Sequence, residues 1–299
     1  MIEGAGETPA RDAASVIVAR DRDGNLEVYL MRRAAGGFLG GFYVFPGGLV
    51  EDADLSEDLV PRIRLFETAL QAFSGARGRG AVVAAIREAF EEAGLLYAEN
   101  GSRGMEGLSG GQAAAHRERS RAMNTPMAEF CARHGLVLRG DRLLPWARWI
   151  TPGTERRRYD TRFFLAPPPE GQVPEPDGVE MDRGVWLAPF RALELHARGD
   201  MPMLPPTVML LHELAGERSL ASLLDRAAGR VVHTTMPEPF ALQGKGGVLL
   251  PNDPKYGNAD LARPGSPGAA SRLVWTDGFW TVCDGRFSRI PAGAGHGNG

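Results

Sequence analysis

The sequence predicts an α+β domain with a mixed sheet. Three patterns carry that prediction: two strand-like runs around a tight turn near the start, an alanine-rich amphipathic helix at Ala81–Ala93, and paired strand patterns at Leu144–Ile150 and Arg158–Ala166. At 299 residues the chain exceeds the ~100–150-residue domain mode, so one large domain or a core with additions is expected. An apolar share of 43% and a charged share of 24% exclude a mostly disordered, collagen-like or coiled-coil chain.

The elements follow in order. Ser15–Arg20 and Leu26–Arg33 read as a β-hairpin around Asp21–Asn25. Gly36–Gly41 is a flexible stretch before the short strand Phe42–Phe45, which enters a glycine turn at Pro46-Gly47-Gly48. Apolar residues Leu59, Ile63, Phe66, Leu70 and Phe73 recur at spacings of three and four, which predicts a helix over 57–73, broken afterwards by SGARGRG. The helix at Ala81–Ala93 should end on Gly94 in a left-handed cap. Residues 100–111 are glycine-rich and expected to be mobile, and 112–134 reads as helical with an interruption at Thr125-Pro126. After the strands of 144–166 comes a stiff proline-rich loop, then a strand at Val185–Leu187. Helices are expected at Pro189–Ala197, Pro206–Ala215 and Leu220–Ala228, and strands at Arg230–Thr235, Gly247–Leu250 and within Arg272–Val282. The expected organisation is a flexible start over 1–12, a main domain over 13–250 and an extension over 251–299 with a flexible tail.

Composition also bounds function. A net charge of −3 offers no broad basic field, so a nucleic-acid partner is not expected. No apolar run approaches the ~20 residues that cross a bilayer, and the first residues show no basic region followed by an apolar one, so the expectation is no membrane partner and a cytoplasmic location. Two cysteines, Cys131 and Cys283, cannot build a disulfide framework and are read as reduced and structural.

The chemistry concentrates on the second helix. At about 100° per residue, Val82, Ile86, Ala89, Phe90 and Ala93 share one arc, and Glu88, Glu91 and Glu92 lie opposite. Like charges at these spacings each cost a helix roughly 0.2–0.5 kcal/mol. A bound cation reverses that penalty, and Mg²⁺ or Mn²⁺ prefers carboxylate oxygen. Taken alone, three glutamates on such a helix are ordinarily a solvated face.

Their surroundings argue otherwise. The run Arg87-Glu88-Ala89-Phe90-Glu91-Glu92-Ala93-Gly94-Leu95 resembles the second half of the Nudix box, and Phe45-Pro46-Gly47-Gly48-Leu49-Val50-Glu51 resembles its entry, in the right order. Two departures stand out: Asp54 occupies the place of the usual glutamate six positions after the entry glycine, and a segment of about 55–80 lengthens the gap between the halves. With LPWARWITP at 144–152, RYDTRFFL at 158–165 and Leu204-Pro205-Pro206-Thr207, the lengthened box is similar to the coenzyme A diphosphatase branch of the Nudix hydrolases. The arginine-serine and histidine signature of another coenzyme A hydrolase group is absent from 31–48.

The resemblance implies an α/β/α sandwich around a mixed sheet, with a helical insertion in the box and a C-terminal α/β extension. It implies hydrolysis of a nucleoside diphosphate linked to another group, coenzyme A or its esters first, with ADP-ribose, dinucleotides or a non-catalytic nucleotide-binding module as alternatives. Glu91 and Glu92 would hold Mg²⁺ or Mn²⁺, with Glu88 either a further ligand or the base for the attacking water, Arg87 positioning Glu88, and the Gly48 carbonyl completing the shell. Glu180 is the candidate for an additional acid or base, with Asp177 and Asp182 nearby. Arg32 or Arg33, only one of which can point inward from a strand, and Arg158 and Arg162 are candidates to grip phosphate; for the last two a strand-edge role is equally open. Trp146, Trp149 and Phe163 are read as core more readily than as base-stacking groups. The C-terminal extension could cap the site, mediate a homodimer or form a partner surface.

Overall fold

The hairpin forms, and its alternation sets the layers. In the computed structural model, β1 (Arg11–Arg22) and β2 (Asn25–Arg33) pair antiparallel with Arg22 opposite Asn25. Asp23 (φ 52) and Gly24 (φ 76) are both left-handed, the turn geometry whose twist matches paired strands. The structure describes residues 8–37, 39–66, 73, 75–101, 111, 114–118, 125–242 and 245–286. The expected flexible start therefore gives up Arg11 and Asp12 to the sheet, and residues 1–7 lie outside the described ones.

Next come β3 (Tyr43–Val44), which pairs with β2, and β4 (Gly47–Leu49), which pairs with β1. The diglycine expected as a turn is thus a strand. A Cβ on Gly47 would lie 2.4 Å from the Ala14 carbonyl oxygen, so only glycine lets the chain lie this close to β1.

The helix expected over 57–73 does not form in its first half. Two 3₁₀ turns, Asp52–Leu55 and Glu57–Arg62, lead into β5 (Ile63–Arg64). Pro61 removes a donor that an α-helix would need; residues 67–72 lie outside the described ones. Helix α1 (Gly75–Ala93) then begins inside the segment expected to break it. Each glycine there costs ~1 kcal/mol of helix propensity, but packing needs Gly80, whose added Cβ would meet the Leu55 side chain at 2.3 Å. The helix ends on Gly94 (φ +72), as expected, with Gly94 N–H donating to Phe90 and Leu95 N–H to Ala89.

β6 (Ala98–Asn100) and β7 (Leu136–Arg139), neither of them foreseen, make with β5 a small three-stranded sheet beside α2 (Met127–His134). α2 starts directly after Pro126, where the interruption was placed. The glycine-rich stretch expected to be mobile lies, over 102–110, outside the described residues.

The main sheet is completed by β8 (Leu144–Ile150), β9 (Tyr159–Ala166), β10 (Met181–Leu187) and β11 (Thr234–Thr235). Its order is β10-β2-β1-β9-β8-β11, with β1–β9 and β8–β11 parallel and the other pairs antiparallel. Val16, Val18, Tyr29, Met31 and Phe164 point to α1; Ile17, Val28, Leu30, Phe163 and Leu165 point the other way, towards α3 (Pro189–Ala197), α4 (Pro205–Leu214) and α5 (Leu220–Ala228). This two-residue alternation makes the sheet the centre of an α/β/α sandwich, each fully buried large side chain contributing about 1.5–3 kcal/mol.

A four-stranded antiparallel sheet closes the chain: β12 (Glu238–Leu242), β13 (Lys245–Leu249), β14 (Arg272–Thr276) and β15 (Phe279–Cys283). It straddles the boundary expected at residue 250. Within it Arg272 and Asp253 form a buried two-point pair at 2.7 and 2.7 Å, and the Trp280 N–H, donating to His196 Nε2 at 3.1 Å, ties it to α3. Cys131 and Cys283 are buried and form no disulfide among the described residues. Among the described residues no helix is long and apolar enough to cross a membrane.

Candidate active site

α1 is buried almost all round, and this overturns the bland reading of its glutamates. Its apolar arc (Val82, Ile86, Phe90) packs on the sheet, yet Glu92 and Arg87 on the opposite side are only 3% and 8% exposed. A solvated face would not bury a carboxylate. The entry strand β4 runs past this side of the helix: Gly47 N–H donates to Glu92 Oε2 at 2.9 Å, and a Cβ on Gly48 would lie 2.2 Å from Glu88 Oε1. The two halves of the motif, about forty residues apart in sequence, meet backbone to carboxylate.

Arg87 organises the cluster. Its Nε and Nη2 donate to the two oxygens of Asp54 at 3.0 Å each, Nη2 also to the Leu49 carbonyl at 2.8 Å, and Nη1 to Glu88 at 2.8 Å and Glu91 at 3.0 Å. Asp54 in turn accepts the Glu51 N–H at 2.9 Å. At the acidic position that departs from the family pattern, the shorter aspartate side chain therefore anchors the guanidinium that holds Glu88 and Glu91. Arg87 thus holds Glu88 in an ion pair.

The carboxylates are short of positive charge. Burial pushes the Glu88 carboxyl up to about 7, Arg87 opposing the shift and Glu91 adding to it. Glu91 is raised by burial, with Arg87 again opposing. Glu92 is raised well above the carboxylate range, by burial and then by the neighbouring charge of Glu88, with the Gly47 N–H and Arg33 working against it and Glu180 with it. Among the described residues no three acidic, histidine or cysteine side chains already converge as a metal cage, and Arg87 Nη1 lies between Glu88 and Glu91. The donor set nevertheless fits a hard divalent cation: three buried or half-buried carboxylates that repel one another beside a glycine backbone.

The outlying candidates divide. Arg33 shares the face of β2 that carries Met31 towards α1, and its charge acts on Glu92; Arg32 points away and pairs with Asp182 at 2.8 Å. Of the three acids near β10, Asp177 Oδ1 accepts the backbone N–H groups of residues 179–181 and Asp182 holds Arg32, while Glu180 is exposed and acts on Glu92. Arg162 lies on the α1 side of the sheet, in the row Gly48–Ala14–Arg162, yet it and Arg158 are engaged by other groups of the protein. Parallel pairing of β1 with β9 buries Arg162 between Asp12 (2.8 Å) and Asp160 (3.6 Å), and Arg158 donates to the carbonyls of Thr8 and Thr151 at 2.7 and 3.1 Å. Trp146, Trp149 and Phe163 lie in the apolar layer on the far side of the sheet.

Known proteins resemble this chain over most of its length. The family model described as NUDT19 Nudix domain matches residues 79–214, which include the whole carboxylate run. The acyl-coenzyme A diphosphatase NUDT19 of Gallus gallus is 30% identical over 82% of this chain and 81% of its own length; the human protein of the same name is 29% identical over 76% and 71%. A crystal structure of a NUDIX hydrolase from Alicyclobacillus acidocaldarius superposes with a TM-score of 0.60 at 27% identity, covering 73% of this chain and 96% of that one. The chain belongs to the Nudix hydrolases, in the family of the NUDT19 Nudix domain.

Proposed function

We propose that this Nudix hydrolase cleaves the diphosphate bond of coenzyme A or acyl-coenzyme A, giving 3′,5′-ADP and the corresponding phosphopantetheine. The relatives named acyl-coenzyme A diphosphatase, alignable over most of both chains, support the substrate class. The observation that carries the reaction is the meeting of Gly47 N–H with Glu92 and of Gly48 with Glu88, which brings two under-neutralised carboxylates to one backbone edge, with Glu91 joined to Glu88 through Arg87.

In this reading Glu91, Glu92 and the Gly48 carbonyl hold Mg²⁺ or Mn²⁺, and Glu88 is either a further ligand or the base for the attacking water. When bound, that cation neutralises diphosphate charge and lowers the pKa of a water. The protein's own groups do the rest. Arg87 fixes the Glu88 and Glu91 side chains, Arg33 supplies a cation beside Glu92, and the proton of the attacking water goes to a carboxylate. Glu88, with its carboxyl near neutrality, suits that acceptor role, since a base works best when its pKa lies close to the working pH. Glu180 is the alternative acceptor, being the exposed acid whose charge reaches Glu92.

The test is product analysis by mass after incubation with coenzyme A, acetyl-coenzyme A, ADP-ribose, NADH and diadenosine polyphosphates. Preferred release of 3′,5′-ADP supports the proposal. Preferred cleavage of ADP-ribose or a dinucleotide removes the substrate assignment while keeping the Nudix chemistry.

A further inference from the structure

On the face of the sheet opposite α1, β8, β11, α4 and the segment after β13 enclose a cleft of about 470 Å³. Such a volume lies within the ~300–1,000 Å³ range of sites for small molecules. From Trp149 the ladder passes through Thr161 and Ala13 to Leu49, beside Gly48. Three strand spacings of ~4.8 Å, and the sheet itself, separate the cleft from the carboxylate cluster.

Two groups lining it lack what their chemistry requires. Trp146 is fully buried, and its indole N–H meets no acceptor; an unmade buried hydrogen bond costs about 1–3 kcal/mol. Arg263 is half-buried and has no carboxylate within ion-pair distance among the described residues, its guanidinium reaching only Thr235 Oγ1 at 3.4 Å. Arg230 does have partners: Glu213 at 2.9 Å, the Trp146 carbonyl at 2.7 Å, and the Trp146 ring, 4.3 Å beneath it. Two arginines against one glutamate leave the cleft one positive charge in excess. The field of that excess is visible on His233, held below the usual histidine range by burial and by Arg263 and Arg230. Trp149, Met209 and Leu250 supply an apolar wall.

We propose that this cleft is a second ligand site, separate from the carboxylate cluster, for a small organic anion that offers oxygen acceptors to Trp146 and Arg263 and lays an apolar body against Trp149 and Leu250. The head group is a carboxylate or a phosphate monoester, because both satisfy a guanidinium and an indole N–H. Occupation would join Arg263 and Leu250, from the segment flanking the C-terminal sheet, to β8 of the main sheet.

The experiment is a titration of the ¹⁵N-labelled full chain with benzoate, phenyl phosphate and inorganic phosphate, following the Trp146 indole N–H resonance. A saturable downfield shift with benzoate or phenyl phosphate supports the site, and the stronger of the two identifies its head group. Arg263→Gln should weaken that binding by about tenfold, the loss of one charge-assisted hydrogen bond, and Arg263→Lys by less, with diphosphate cleavage unchanged in both. Arg263 lies in a surface segment, so the Gln variant should fold; its indole spectrum reports whether it does. No shift with any of the three probes, or a shift that Arg263→Gln leaves intact, overturns the proposal.

Discussion

Asp54 and Arg87 form a buried two-point ion pair, with Nε and Nη2 of Arg87 each 3.0 Å from a separate Asp54 oxygen and Asp54 only 1% exposed. The pair links the turn after the entry strand to the middle of the carboxylate helix. Asp54→Ala would leave the guanidinium buried without its main partner, so we expect a loss of about 3 kcal/mol in stability, measured by urea denaturation. Turnover should fall as well, because Glu88 and Glu91 take their positions from the same guanidinium. Unchanged stability would show that Glu88, Glu91 and the Leu49 carbonyl suffice to hold Arg87.

The two glycines should separate structure from chemistry. Gly47→Ala drives a methyl against the backbone of Ala14 and Ser15, which cannot yield without opening the β1–β4 ladder; a loss of about 1–3 kcal/mol is expected. Gly48→Ala meets the end of the Glu88 side chain, which can swing away. It should cost little stability and much activity, about 10²-fold if Glu88 is the proton acceptor. Thermal melts and kcat measured on both variants check the contrast.

Burial of the glutamates predicts an unusual pH dependence. Glu88 is raised to about 7 in the folded protein from 4.5, and Glu91 and Glu92 are raised too. The folded state therefore holds more protons than the unfolded one between these values, and stability in the presence of chelator should fall as pH rises from about 4.5 to about 7, by roughly 3 kcal/mol for Glu88 alone. Glu92→Gln should flatten this slope, and added Mg²⁺ should reverse it. Melts in EDTA across that range that rise with pH would contradict the charge balance given for the site.

Arginines sort by location. Arg33→Ala, beside Glu92, should raise KM or lower kcat by about tenfold, the value of one charge-assisted contact. Arg162→Ala should instead lower the melting temperature and leave KM alone, because Arg162 serves Asp12 and Asp160. Steady-state kinetics on the two variants distinguish these effects.

Much of this was legible in the sequence where local rules act alone. The strand Leu144–Ile150 and the helices Pro189–Ala197 and Leu220–Ala228 form at the expected residues, and Gly94 caps α1. The glutamates and the glycines of the carboxylate cluster were legible because two separated fragments fit one pattern. What was not legible depends on tertiary contacts. SGARGRG reads as a break, yet Gly80 is there so that α1 can pack against Leu55. Gly47-Gly48 reads as a turn, yet its lack of side chains serves a strand pressed onto β1. Arg162 reads equally as a phosphate ligand or a strand-edge charge, because its partner Asp12 lies 150 residues away in sequence. Burial of Glu92 was equally invisible, since periodicity places it on the polar side of the helix.

Metal-dependent cleavage of a coenzyme A diphosphate by Glu88, Glu91 and Glu92 is tested most directly by incubating the purified chain with coenzyme A in H₂¹⁸O and weighing the products. The incubations hold Mg²⁺, Mn²⁺ or EDTA, and run beside Glu91→Gln and Glu92→Gln. We predict 3′,5′-ADP and 4′-phosphopantetheine carrying one ¹⁸O between them, no product in EDTA, and a fall of at least about 10²-fold in each variant. Full turnover in EDTA, or in both variants, would contradict the proposed chemistry.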